Sequence, residues 1–136
     1  MRFETKIAIA LRLDLAPWQK LNVTAFLASS LAGAAPELIG EAYEDGSGHR
    51  TLAMFRQPVM VFAGTGEDLA RAHERLRQRN LPFALYTEQM FATGHDAANR
   101  EAVRAVRTED LPLVGLAVHA DRKEVDRVLK GFALHP

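Results

Sequence analysis

The stretch Lys6-Ile7-Ala8-Ile9-Ala10-Leu11-Arg12, followed by Pro17-Trp18-Gln19-Lys20-Leu21, decides the fold class. Ile7–Leu11 is a near-continuous apolar run with two isoleucines, the pattern of a strand covered on both faces in a sheet layered between helices. Pro17 suits the first turn of a helix, and Trp18, Leu21, Ala25, Ala28 and Ala32 recur at helical spacing until Gly33 and Pro36 stop it. Val23, Phe26, Leu27 and Leu31 widen that stripe nearly all round. The helix is therefore expected to pack on the sheet with one side and on a further element with the other.

Strand and helix patterns keep alternating along the chain. Val59–Ala63 is a second buried-strand run, and Thr65 with Asp68 forms a capping box that starts a helix running to about Arg79. Asn80 supplies the left-handed residue that closes it. Phe83–Thr87 reads as a third strand, Asp96–Val106 as a helix with Asp96 as its cap, and Leu113–His119 as a strand. A last helix starts at Asp121 and ends at Gly131, before Phe132–Leu134. The turn cluster Asp45-Gly46-Ser47-Gly48, flanked by Ala42-Tyr43 and Arg50–Phe55, reads as a hairpin or ordered excursion. The alternation predicts a three-layer α/β/α domain with a mostly parallel sheet, because parallel neighbours need crossover helices and those helices cover both faces.

With 136 residues, 48% of them hydrophobic and 25% charged, the chain suits one domain over residues 1–136, and wholesale disorder is excluded. Zero cysteines removes disulfides, thiolate zinc sites and cysteine nucleophiles, which suits the reducing cytoplasm. The first apolar run ends at Arg12 and Asp14, too short for a signal peptide or a spanning helix, so no membrane is expected. Basic and acidic residues number 17 each, which leaves no overall positive charge for nucleic-acid phosphates. The rows Arg71/Arg75/Arg79 and Arg100/Arg104 are interrupted by Glu67, Asp68, Glu74 and Glu101. With no clustered exposed aromatics expected, they read as solvated faces and not an RNA platform.

Three side chains carry the candidate chemistry. Lys20 occupies a helix's first turn, where the dipole disfavours a cation by about 0.3–1 kcal/mol, and an amine beside free amide N–H groups would attract an anion or a developing oxyanion. Glu88 lies just past the third strand, and ligands in open α/β sheets collect beyond the strands' carboxyl ends. If the first and third strands run the same way, Lys20 and Glu88 emerge at one sheet edge, where such a pair could orient water or polarise an ester. Thr93 adds a hydroxyl. Gly64-Thr65-Gly66 lacks the third glycine of a dinucleotide turn, Leu69 standing in its place, so no cofactor is expected. The histidines at 49, 73, 95, 119 and 135 show no metal-ligand spacing and no metal is expected; His73 reads as a core or boundary residue. Ser29 and Ser30 lack a nucleophile elbow and read as helix-packing positions.

Lys6 to Leu15, with its Arg-x-Asp-Leu ending at Arg12-Leu13-Asp14-Leu15, resembles the opening strand of the peptidyl-tRNA hydrolase type II superfamily. Leu81 to Glu88 is similar to the strand that delivers that family's catalytic aspartate, here a glutamate, and Val125-Asp126-Arg127-Val128 with Gly131 resembles its closing helix. Asp14 to Asn22 and Met90 to Asp96 resemble an uncharacterised bacterial branch of the superfamily, known as a domain of unknown function. The resemblance implies a mixed sheet of about four strands between helices. It also implies hydrolysis of an ester such as peptidyl-tRNA, with Lys20 stabilising the oxyanion, Glu88 positioning Lys20 or acting as base, and Thr93 holding water. Pro17-Trp18-Gln19 replaces the family's glycine-lysine-glycine, which weakens tRNA contact. Thr24 and Leu27 replace its glutamine and histidine, and Asp96–Val106 looks like an insertion. Two other readings stand beside the hydrolase. One is a non-catalytic module that holds a small anionic ligand at the same helix start; the other is a homodimer formed through the apolar hairpin Tyr43 to Phe55.

Overall fold

Thr5–Arg12 forms β1, and every side chain from Ile7 to Leu11 is buried because β1 lies in the middle of a five-stranded sheet. The structure, a computed structural model, describes residues 3–136. The other strands are β2 (Tyr43–Glu44), β3 (Arg50–Thr51), β4 (Val59–Gly64), β5 (Phe83–Thr87), β6 (Leu113–Asp121) and β7 (Ala133–Leu134). The helices are α1 (Pro17–Ala34), α2 (Gly66–Gln78), α3 (Asp96–Arg104) and α4 (Arg122–Val128). Strand order in the sheet is β5-β6-β1-β4-β7, while β2 and β3 make a separate antiparallel hairpin around the predicted turn.

The alternating side chains of β1 divide the core in two. Ile7, Ile9 and Leu11 pack with Val23, Leu27 and Leu31 of α1 on one face. Ala8 and Ala10 pack with Leu69, Ala72 and Leu76 of α2 and Val125 and Val128 of α4 on the other. Three layers result, as expected. Gly115 of β6 lets α1 sit this close: a Cβ there would stand 2.8 Å from Val23 Cγ1 and 2.9 Å from Leu27 Cδ1.

The expected mostly parallel sheet of about four strands needs correction. Among the described residues only β1 with β4 is parallel; β1 with β6, β5 with β6 and β4 with β7 are antiparallel, in a mixed sheet of five. The physical reason lies in α3. It packs against the 3-10 turn Glu88–Ala92 that follows β5 and does not cross a sheet face, so the chain re-enters the sheet as β6 in the reverse direction. β1, β4 and β5 still share one direction, and their carboxyl ends meet at one end of the sheet.

Local signals performed well where the partner is close in sequence. Thr65 Oγ1 accepts from Asp68 N–H at 3.1 Å while Asp68 Oδ2 accepts from Thr65 N–H at 2.9 Å, the predicted capping box. Asn80 (φ 53°) and Gly131 (φ 102°) take the left-handed conformations that close α2 and α4. The cap of α3 differs: His95 Nδ1 accepts from Ala98 N–H at 3.2 Å, and Asp96, one residue inside, pairs with Arg100 at 3.0 Å. The far side of α1 is also uncovered, contrary to expectation. Trp18 and Leu21 stay 60% and 73% exposed because α2 and α4 occupy the opposite sheet face and α3 lies at the edge. Among the described residues no helix is long and apolar enough to cross a membrane.

Candidate functional site

Because β1 and β5 run the same way, Arg12, Lys20 and Glu88 all arise where those strands end. The side chains nevertheless engage separate partners. Glu88 accepts from the Arg12 guanidinium, which also donates to Asp14 at 2.6 Å. Burial alone would lower the Arg12 pKa; its hydrogen bonds to Glu88 and Asp14 outweigh that and raise it. Lys20 Nζ lies 3.1 Å from His135 Nε2. An ammonium can only donate, so Nε2 accepts, and Nδ1 carries the ring proton toward the Pro136 carbonyl at 3.0 Å. Thr93 Oγ1 donates to Met90 O at 2.9 Å and also meets Asn99 Oδ1. Among the described residues no hydrogen bond or ion pair joins Lys20, Glu88 and Thr93 to one another.

Space for a ligand lies beside this end of the sheet, between α1, β5 and α3. A cleft of about 760 Å³ is bordered by Phe26, Leu27, Tyr86, Met90, Val103 and Arg104, among others. It continues into a second hollow of about 350 Å³ that reaches Trp18, Phe91 and Thr93; Phe26, Tyr86, Met90, Asp96 and Asn99 border both. Thr93 is thus the one member of the expected trio on this cleft, and neither Lys20 nor Glu88 borders either part.

Aromatic side chains build the inner wall. Tyr86 meets Phe26 edge-on with ring centroids 5.8 Å apart and Phe91 at 5.3 Å, and Phe91 meets Trp18 at 5.9 Å. This corrects the expectation of no clustered exposed aromatics, since Trp18 and Phe26 are exposed and belong to the cluster. Burial raises the Tyr86 phenol's pKa, with a hydrogen bond from the Asn22 side chain acting in the opposite sense. The phenol is therefore neutral near pH 7. On the outer wall Arg100 is paired with Asp96, whereas Arg104 has no carboxylate partner among the described residues. The rim carries one uncompensated positive charge above an apolar floor.

Other places resemble sites less. The Gly64-Thr65-Gly66 turn is filled: a Cβ on Gly64 would stand 2.8 Å from the Phe132 ring and 2.9 Å from Asp68 Oδ2. The Asp68 carboxylate already occupies the amide N–H position a phosphate would take. Its pKa is lowered, first by the Thr65 backbone hydrogen bond and further by Arg71. His73 is buried edge-on against Phe83, at 5.3 Å, as the core reading expects. No group of three acidic or histidine side chains that could hold a metal occurs among the described residues.

Sequence reasoning missed Arg12, His135, Tyr86 and Asn99. A signal existed for Arg12 alone: a charged residue closing an apolar strand must sit at the sheet's end, where Glu88 also arises.

A family model described as a protein of unknown function, DUF2000, matches residues 5–136. No curated protein matches the chain. A solved structure of a protein of unknown function from Agrobacterium tumefaciens strain C58 is similar at 48% identity and a TM-score of 0.97, covering 99% of this chain and 100% of that one.

Proposed function

The chain belongs to the DUF2000 family, and from that premise we propose that it is a binding protein for a small amphipathic anion, held in the cleft between α1, β5 and α3. The observation that carries this reading is the pairing of an aromatic floor, Phe26 with Tyr86, and the unpaired guanidinium of Arg104 on the facing wall. Binding sites are typically apolar hollows with a few placed polar groups, and this one offers an apolar body a floor and an anionic head one cation. The reading moves the anion from the start of α1, where Lys20 is held by His135, to the rim of α3.

Thermal-shift measurement with 4-phenylbutyrate and its uncharged alcohol tests it. At a hundred times its Kd the carboxylate stabilises the fold by about 2.7 kcal/mol. The alcohol stabilises less, and Arg104→Glu removes the difference between the two. Equal stabilisation by both, or none by either, rejects the proposal.

A second reading is hydrolysis of an acyl ester such as peptidyl-tRNA by Lys20, Glu88 and Thr93, as the resemblance to peptidyl-tRNA hydrolase type II implies. What favours it is the common direction of β1 and β5, together with the His135 ring that holds the Lys20 side chain at 3.1 Å. The Arg12–Glu88 pair would have to open for Glu88 to serve as base. Lys20→Ala should abolish cleavage of peptidyl-tRNA; an unchanged rate rejects the assignment.

A further inference from the structure

The cleft is bordered by three consecutive residues of β5, Ala84, Leu85 and Tyr86. Ala84 and Tyr86 face the α1 side of the sheet while Leu85 packs on the opposite side, so Leu85 borders the hollow through its main chain and the cleft reaches the backbone of β5. β5 ends the strand order and has a hydrogen-bonded neighbour, β6, on one side only. Alternate residues of β5 therefore present N–H and C=O groups toward the cleft with no strand to receive them. Proteins usually blunt such an edge by shortness, charge, proline, a bulge or a covering helix or loop; α3 lies at this edge but packs on the turn after β5 and faces the strand across the cleft. The opposite edge, β7, is two residues long, which is protection of that kind. β5 has five residues, none charged and none proline, and its one register shift lies at the far end, between Tyr86 and Thr87.

We propose that this edge and cleft accept an extended acidic peptide as a sixth strand. The inference rests on the cleft being the ligand site and names the class of its occupant. α3 from Asp96 to Arg104 walls about 12 Å of the cleft at about 1.5 Å per residue. That is the span of about four extended residues at about 3.3 Å each. Apolar side chains at alternate positions meet Phe26 and Met90, backbone groups pair with β5, and an acidic side chain meets Arg104, the rim cation without a carboxylate.

The test uses the full chain and the capped peptide acetyl-Val-Glu-Val-Thr-Val-amide. Two versions N-methylated at alternate residues, in the two possible phases, and one with Lys for Glu serve as comparisons. The expected result is measurable binding, weakened at least tenfold by N-methylation in one phase and at least fivefold by the lysine. Amides within 83–87 should gain at least tenfold protection from hydrogen exchange on binding, and Arg104→Glu should invert the preference between Glu and Lys peptides. No binding, equal binding of both N-methylated forms, or unprotected β5 amides overturns the inference. If 4-phenylbutyrate still binds in an Arg104-dependent way, only the strand addition falls; if it too fails, the cleft reading falls with it.

Discussion

Thr65 and Asp68 satisfy each other's amides at the start of α2, so removing one hydroxyl leaves the Asp68 amide without its partner. Thr65→Ala is expected to cost about 1 kcal/mol, read as a lower midpoint in urea with an unchanged slope. His73 gives a pH-dependent counterpart. Burial, with Arg77 nearby, lowers its pKa below the ordinary 6.5, so between those two values the unfolded chain binds the proton that the folded one refuses. Stability therefore falls as pH drops through about 6.5 and levels off below the folded pKa. His73→Gln should flatten that part of the stability curve; an equally steep curve in the variant would assign the effect elsewhere. Such residues were legible in the sequence because a cap and its partner lie three positions apart, and a histidine on a helix's apolar stripe is buried with it. Lys20 was legible only as a cation in a helix's first turn, and Glu88 only as a charge just past a strand. Their partners, His135 and Arg12, come from segments 115 and 76 positions away, and no local pattern announces them.

Elements were placed well by periodicity, and their relations less so. Val23 and Leu27 of α1 reach β6 because Gly115 has no side chain, so Gly115→Ala should force a clash of helix against sheet and cost about 1–3 kcal/mol. Unfolding in urea measures it, and a neutral result would mean that α1 can shift outward freely. The buried strands read correctly from their apolar runs, whereas direction did not. A helical pattern between two strands states that the chain forms a helix, not that the helix crosses a sheet face, and α3 stays beside the strand end it came from. The cap of α3 escaped for a similar reason. A histidine ring nitrogen can accept an amide hydrogen as an aspartate does, and His95 stands one residue nearer the start.

At the scale of the molecule, three layers followed from the alternation of strands and helices, and the halves of the core on either side of β1 fulfil it. The cleft did not follow, since its walls come from α1, β5 with its following turn, and α3, which meet only in the folded chain. That meeting is the basis of the proposed ligand site on Phe26, Tyr86 and Arg104, beside the polar strand ends and not among them. A nitrogen-15 correlation titration with 4-phenylbutyrate tests this most directly. Shifts are expected to concentrate at residues 84–86 and 99–104 and to saturate together, with Lys20 and Glu88 amides little changed. Shifts centred on Lys20 and Glu88, with the α3 residues unmoved, would contradict it.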